Sequence, residues 1–563
     1  TSRADFIKRG GATALPAALV ETTPLNGAAG SVLDPALAIR RTIDLAPGEE
    51  ATLDLVLGVA GSRDAALQLA AKYAERGEAD RAFAQELPQE TTKDADAQLY
   101  ARLAGAVLYP QRALRADPGL IARNSLWPHA ISGDLPIVLV QVDEAAHLAL
   151  ARQLLQAQAW WRARGLQVDL VIWCGDTASG PRSLHAQVLA LVDPDLADRA
   201  GGVYVQAFAQ LPQEDRVLLQ AVARVVLPGE RGALAEQLQR AQAQAAPGLP
   251  ALRPSAPQPD SSPAFEKSGI EQPQLQFDNG IGGFSLDGRE YIIRTGPGRP
   301  TPAPWSNVLA NPLFGSVVSE SAQACTWSEN ARELRLTPWD NDPVSDRGGE
   351  VFYLRDEEGG ACWSPAALPM PSGGDHLTRH GFGYSVFEHT AHGIHSELSQ
   401  FVALDAPIKY MVLRVRNDSG RPRRLSATGY VEWVLGELRA ASSMHVVTEV
   451  DVASGALLAR SAWNSDYAGH TAFFHVDADD FTFTCDRTEF IGRGGNLAQP
   501  QAMQRSSLSG RVGAALDPCA ALQVAFELAP GEQKELVFML GAATDDAAGL
   551  VQRYQGSVAA RAV

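Results

Sequence analysis

The chain has 563 residues, 45% of them hydrophobic and 20% charged, with a formal net charge of −17. That length holds several cores, and the acidic balance argues against a nucleic-acid footprint or an anionic-lipid surface. No run of about 18 apolar residues encodes a membrane span, and five scattered cysteines without a CxxC pair exclude a disulfide framework and fit reduced thiols in a cytoplasmic setting.

The sequence opens on Thr1 without a secretory leader, which predicts a piece of a longer polypeptide. FIKRGG at residues 6–11 returns as FIGRGG at 490–495. The match extends through Pro16 with Pro500 and, after a one-residue slip, Gly27 with Gly510, Leu33-Asp34-Pro35 with Leu516-Asp517-Pro518, and LAPGE at 45–49 with LAPGE at 528–532. Such a match indicates duplicated structure. LAPGE reads as a turn. In the first copy it lies between β-like runs Ala36–Asp44 and Ala51–Gly58, and in the second between Ala520–Glu527 and Glu535–Gly541. Residues 1–61 therefore read as the tail hairpin of one sandwich, a hairpin that needs a sheet to join.

Residues 62–245 read as a helical region with a small α/β segment. Ala/Leu periodicity runs through 62–115, and EAAHLALARQLLQAQAWWRARG stops at Gly165. VDLVIW and GGVYVQAF read as strands, with helices at 183–192, 214–226 and 230–245. Neither GxGxxG nor a P-loop is present, so CGDTASG reads as a plain strand-to-helix connection rather than a nucleotide site. Asp134 in ISGDLP is the one acid there in a motif-like context, and a local turn is its simplest role. The Pro/Ser/Ala-rich stretch 246–273 reads as a linker. From 274 to 563 the pattern is a β-sandwich ending in a helix: Asn279-Gly280 and Asp287-Gly288 turns separate alternating runs such as KYMVLRVRN and RRLSATGYVEWVLG. The fold class is mixed α and β, dominated by a large antiparallel sandwich.

The stretch from FDNGIGGFSLDG to GGACWSP (277–364), with RHGFGYSVFEH and GYVEWVLGE, resembles the N-terminal supersandwich of the cellobiose and chitobiose phosphorylase family. Within it the phrasing is closest to cyclic β-1,2-glucan synthases, whose two tandem sandwiches would explain the repeat. The resemblance implies a parent protein held in the bacterial inner membrane that makes or phosphorolyses β-glucan. It also implies a general-acid Asp and a phosphate site in an (α/α)6 barrel outside this chain. The fragment alone is expected to be inactive and to need no cofactor. Its expected partners are a β-glucan oligosaccharide, the rest of the parent chain and a second copy in a homodimer; phosphate would enter only through the barrel. A non-catalytic carbohydrate-binding or structural scaffold is the alternative.

Trp305, Trp327, Trp339 and Trp363 fall close together. Aromatic faces stack on sugar rings, so Trp339, Asp340, Asn341 and Asp342 in TPWDNDP read as a saccharide contact; core rings and capped loops are the structural alternative. The resemblance adds Arg439 and His445, which match a stretch that lends residues to the family's active site, with Arg379 and His380 from RHGFGYS. His376, His380, His389, His392 and His395 are dense enough to raise a metal site, but a turn at AHG would scatter them, and no metal is expected.

Overall fold

The computed structural model describes residues 2–21, 23–32, 34–75, 77–78, 80–82, 94–109, 111–115, 123–175, 180, 183–207, 212–243, 250–252 and 273–556. Most of the 246–273 linker lies outside these.

The first strands belong to a four-stranded parallel sheet with Ile137–Val142 and Asp169–Cys174 at its centre, Val203–Ala207 outside the second and Val225–Pro228 outside the first. The two central strands are buried almost throughout, as strands with helices on both faces must be. Helices Asp94–Leu108 and Leu148–Ala163 cover one face through Leu103, Leu154 and Trp161. Helix Gln213–Val222 covers the other with Leu218 and Leu219. The expected helix 214–226 ends at Val222, and Val225–Pro228 enters the sheet instead. Asp134 sits in the turn before the first strand, its N–H donating to Ser132 Oγ at 3.1 Å.

The sandwich sets a ten-stranded antiparallel sheet against a five-stranded one. The large sheet runs from Val447–Val450 at one edge to Gly282–Phe284 at the other. Between the sheets lie Leu413, Phe538 and Leu540 from one side and Leu354, Leu425 and Leu522 from the other, with Phe352 edge-on to Phe538 at 5.1 Å. A three-stranded sheet, Ser306–Asn311, Phe314–Ser319 and Ala324–Ser328, closes one side of this core with Leu309, Phe314 and Val318. Helix Ala547–Tyr554 packs on the outer face of the large sheet through Val551 and Tyr554.

The repeat is duplicated in space as well as in sequence. Helix Arg3–Ile7 is capped by Ser2 and helix Arg487–Ile491 by Asp486. The next residues, Lys8 and Gly492, share a left-handed extended geometry (φ 71°, ψ 157° and φ 88°, ψ 154°). Arg3 N donates to Asp34 O as Arg487 N donates to Asp517 O, at 2.8 and 2.7 Å. The LAPGE turns match too: Glu49 and Glu532 each accept from the N–H of the alanine three residues earlier.

The expected hairpin is corrected in one respect. Pro518–Leu528 joins the five-stranded sheet and Gln533–Ala543 the ten-stranded one. The turn therefore arches over the edge of the core, and its two strands do not pair. Turn chemistry is the same for an arch and a hairpin, so LAPGE cannot tell them apart. In the first copy, residues 36–60 carry no strand, and Leu37, Leu55, Leu57 and Val59 are exposed.

Candidate functional site

The TPWDNDP loop follows the edge of the three-stranded sheet and lines a cavity of about 140 Å³ with Pro304, Ser306, Gln323 and Arg347. Trp339 is anchored by a bridge to Gly348 and keeps 44% of its surface exposed. The other tryptophans of the cluster behave differently: Trp363 is fully buried in the core, and Trp305 turns edge-on to Tyr291 at 5.9 Å. Asp340 and Asn341 are exposed beside Trp339. Asn341 holds φ 49°, a left-handed conformation asparagine tolerates better than most residues. The mouth thus presents an indole face, an amide, a carboxylate and the Arg347 guanidinium, groups able to stack on a ring and exchange hydrogen bonds with hydroxyls.

Asp342 is already engaged. Its carboxylate accepts from the N–H groups of Val344 and Ser345 at 2.9 and 3.0 Å and from both terminal nitrogens of Arg3. Burial raises its pKa, but the Arg3 hydrogen bond and the two backbone N–H groups outweigh this and hold the carboxyl well below the usual range. A general acid needs the opposite perturbation, so Asp342 acts as an anchor. Cys325 also lines the cavity, and burial with Glu350 nearby pushes its thiol up to about 12; it is no nucleophile at neutral pH.

Behind the cavity lies a buried polar cluster. Glu320, 2% exposed, accepts from Arg9 at 2.8 Å and from the N–H of Trp305, also at 2.8 Å. Thr301 donates to it as well. Arg9 also reaches Asp346 at 3.1 Å, and Gly10 N–H donates to Val344 O at 2.8 Å. Desolvation raises the Glu320 pKa, and Arg9 opposes it. His380 contacts Ser385 Oγ at 2.8 Å and the Trp305 carbonyl at 3.1 Å. Its imidazole is depressed to about 4, chiefly by burial. His380 thus positions the 304–306 wall from behind and does not open into the cavity mouth.

The remaining predicted residues fall elsewhere. Arg379 lies on the other face of its strand, paired with Glu388 at 2.7 Å and Glu397 at 3.7 Å. Arg439 pairs with Glu432 at 2.7 Å and with Asp517. His445 stacks on Trp463 at 3.7 Å, facing the α/β region, where Arg115 donates to the carbonyl of neighbouring Met444 at 3.1 Å. Its pKa is depressed to about 3 by burial, then by Arg115 and Arg224. None of these three shares a described hydrogen bond or ion pair with the TPWDNDP loop. The histidine run is dispersed: His376 stacks on His389 at 3.9 Å, His392 lies against Trp363, and His395 contacts Thr390. Among the described residues no group of three or more metal-ligating side chains converges. Sequence reasoning missed Arg3, Arg9, Glu320 and Asp346. Arg9 was visible only as a member of the repeated phrase, Arg3 lies three residues ahead of it, and the two acids stand in no motif.

The glycosyl hydrolase 94 supersandwich domain model matches residues 1–76 and 289–557, more than half of the chain. Cyclic beta-(1,2)-glucan synthase NdvB of Rhizobium meliloti (strain 1021) is 33% identical over 96% of this chain and 20% of its own length. N,N'-diacetylchitobiose phosphorylase of Vibrio furnissii is 29% identical over 49% of this chain and 35% of its own. A 3-O-beta-D-glucopyranosyl-beta-D-glucuronide phosphorylase of Paenibacillus borealis is 27% identical over 48% and 34%. The chain thus spans a fifth to about a third of these relatives. Among the described residues no helix is long and apolar enough to cross a membrane. The sheets, the duplicated tail and the matched residues agree: the chain belongs to the glycosyl hydrolase 94 supersandwich family, within the glycosyltransferases and glycoside phosphorylases.

Proposed function

We propose that this chain is the saccharide-holding body of a bacterial polypeptide that makes or phosphorolyses β-1,2-glucan, and that the Trp339 cavity takes a β-glucan oligosaccharide. The observation carrying this is the half-exposed Trp339 indole beside Asp340, Asn341 and Arg347 at the mouth of a polar cavity. A sugar ring laid on the indole removes apolar ring faces from water, while its hydroxyls replace water at the neighbouring polar groups. The β-1,2 linkage rests on the likeness to the Rhizobium synthase.

In this reading, bond making and breaking belong to an (α/α)6 barrel elsewhere in the polypeptide, which supplies the general acid and holds phosphate. The sandwich keeps the glucan close and so raises its effective concentration at that barrel. Homodimer formation and attachment of the whole polypeptide to the inner membrane belong to the same proposal. The test is titration of the 563-residue chain with β-1,2-gluco-oligosaccharides while following tryptophan fluorescence. Saturable quenching that Trp339→Ala removes is expected; no response at millimolar sugar rejects the reading.

A second reading, a scaffold without sugar contact, is favoured by the Arg3–Asp342 pair, because one acid of the loop already serves to hold a neighbouring domain's tail. In that case Arg3→Ala alters domain packing and no glucan response exists to lose.

A further inference from the structure

The chain holds 65 acidic residues against 48 lysines and arginines, so a buried arginine readily finds a carboxylate. Arg9, Arg355 and Arg423 meet theirs at 2.8, 2.7 and 2.9 Å, as a desolvated charge requires. Arg115 and Arg224 depart from this. Arg115 follows the turn Arg112–Leu114, and Arg224 stands between helix Gln213–Val222 and strand Val225–Pro228. Neither meets a carboxylate among the described residues, although each buries its Nε without an acceptor.

The sandwich brings a third basic group to the same place. Arg115 donates to the carbonyls of Met444 at 3.1 Å and Ala221 at 3.4 Å, and Arg224 to that of Val107 at 3.0 Å. His445, next to Met444, stacks on Trp463, whose ring packs on the Leu126, Ile131 and Val222 cluster of the α/β body. The imidazole makes no hydrogen bond among the described residues. Burial, then the charge of Arg224, pushes Arg115 down to about 10, and both arginines add to the depression of His445. Three groups thus share one field, and no acid enters it. Val107 and Ala221 lie in the last turns of their helices, and a helix end carries only about half a unit of negative charge. These carbonyls orient the guanidiniums and are too weak to neutralise them.

We propose that Arg115, Arg224 and His445 form a binding site for a phosphoryl dianion, free or carried on a sugar, at the seam between the α/β body and the sandwich. Two guanidiniums match a dianion in charge, whereas a single carboxylate would leave one of them unmatched. Their planar N–H forks suit a tetrahedral oxyanion. Both arginines fall in residues 77–288, outside the matched family domain, so the supersandwich by itself does not build this site. None of the three residues lines the Trp339 cavity, and the inference stands apart from the glucan reading. The bound dianion accepts from two arginines of one body and from a histidine of the other, and so ties the two together.

The experiment is calorimetric titration of the 563-residue chain with inorganic phosphate and, separately, with glucose 6-phosphate, both at constant ionic strength. Hydrogen exchange is followed on the same unsubstituted protein. Saturable binding of at least one ligand is expected, with exchange slowed around Val107, Arg115, Arg224 and His445. Tighter binding of inorganic phosphate identifies the free ion as the ligand; tighter binding of glucose 6-phosphate identifies a phosphoryl group carried on a sugar. Arg115→Gln and Arg224→Gln should each weaken binding at least about tenfold. No saturable binding of either ligand at millimolar concentration, slowed exchange confined to other segments, or undiminished binding by both variants overturns the proposal. The exchange measurement needs no substitution, so it decides the matter even where a variant fails to fold.

Discussion

Arg3 grips Asp342 with both terminal nitrogens across 339 residues of sequence, while its Nε reaches Asp34 at 2.9 Å. One guanidinium therefore closes the N-terminal tail on itself and ties it to the loop carrying the candidate sugar-binding tryptophan. Its repeat counterpart Arg487 keeps the first half of this arrangement, contacting Asp517, but takes Glu432 of its own sandwich in place of a neighbour's acid.

This tie should be measurable. Arg9→Ala leaves Glu320, 2% exposed, without its cation, and breaking such a buried pair costs about 3–5 kcal/mol. Arg3 is a quarter exposed, and Arg3→Ala should cost about 1 kcal/mol. Hydrogen exchange in residues 2–35 should accelerate in both variants, more in Arg9→Ala. Unchanged protection in Arg9→Ala would mean that the tail is held by other contacts.

Inside the sandwich, Lys409 and Glu350 form a fully buried pair at 2.7 Å, completed by Ser316, Thr326 and Thr337. Lys409→Met strands the carboxylate and should lower stability by about 3–5 kcal/mol, while Lys409→Met with Glu350→Gln should recover much of that loss. Chemical denaturation of both variants decides it; equal destabilisation would show that packing, and not the stranded charge, is at stake.

Three imidazoles, His475 buried and His380 and His445 partly so, set a pH dependence. His380 and His475 are depressed to about 4 and His445 to about 3, each chiefly by burial. Unfolded histidine takes its proton near 6.5, so between that pH and about 4 the unfolded chain binds more protons than the folded one. Stability is fully present above pH 6.5 and falls on acidification, by about 1.4 kcal/mol per pH unit for each imidazole. Urea melts at pH 7.5, 6 and 5 should show this decline, and His475→Phe should flatten it. A flat profile from 7.5 to 5 contradicts the assignment.

The histidine run should be indifferent to metal. His376 and His389 stack on each other, and His392 turns to Trp363. Adding zinc to chelator-treated protein should leave the melting temperature unchanged; a saturable rise would reveal a site these rings do not form here.

Strand-rich composition, Asn-Gly and Asp-Gly turns and the AHG hairpin were legible because each is a local signal: His392 and Gly393 take φ 55° and 72° between paired Ala391 and Ile394. The arch at LAPGE was not, because which sheet a strand joins is decided by residues 87 to 133 positions away. Trp339 was separable from Trp363 only in space, since an exposed indole and a core indole share the same polar and Pro/Gly-rich neighbourhood in sequence. His380 was named by resemblance as a substrate contact, whereas its contact with the Trp305 carbonyl joins segments 75 residues apart.

The central claim is that Trp339 forms the floor of a glucan site. Isothermal titration of β-1,2-gluco-oligosaccharides into the 563-residue chain and its Trp339→Ala variant tests it most directly. Saturable binding that weakens at least about tenfold in the variant, roughly 1.4 kcal/mol, is the predicted result; equal binding by both proteins, or none by either at millimolar sugar, would contradict it.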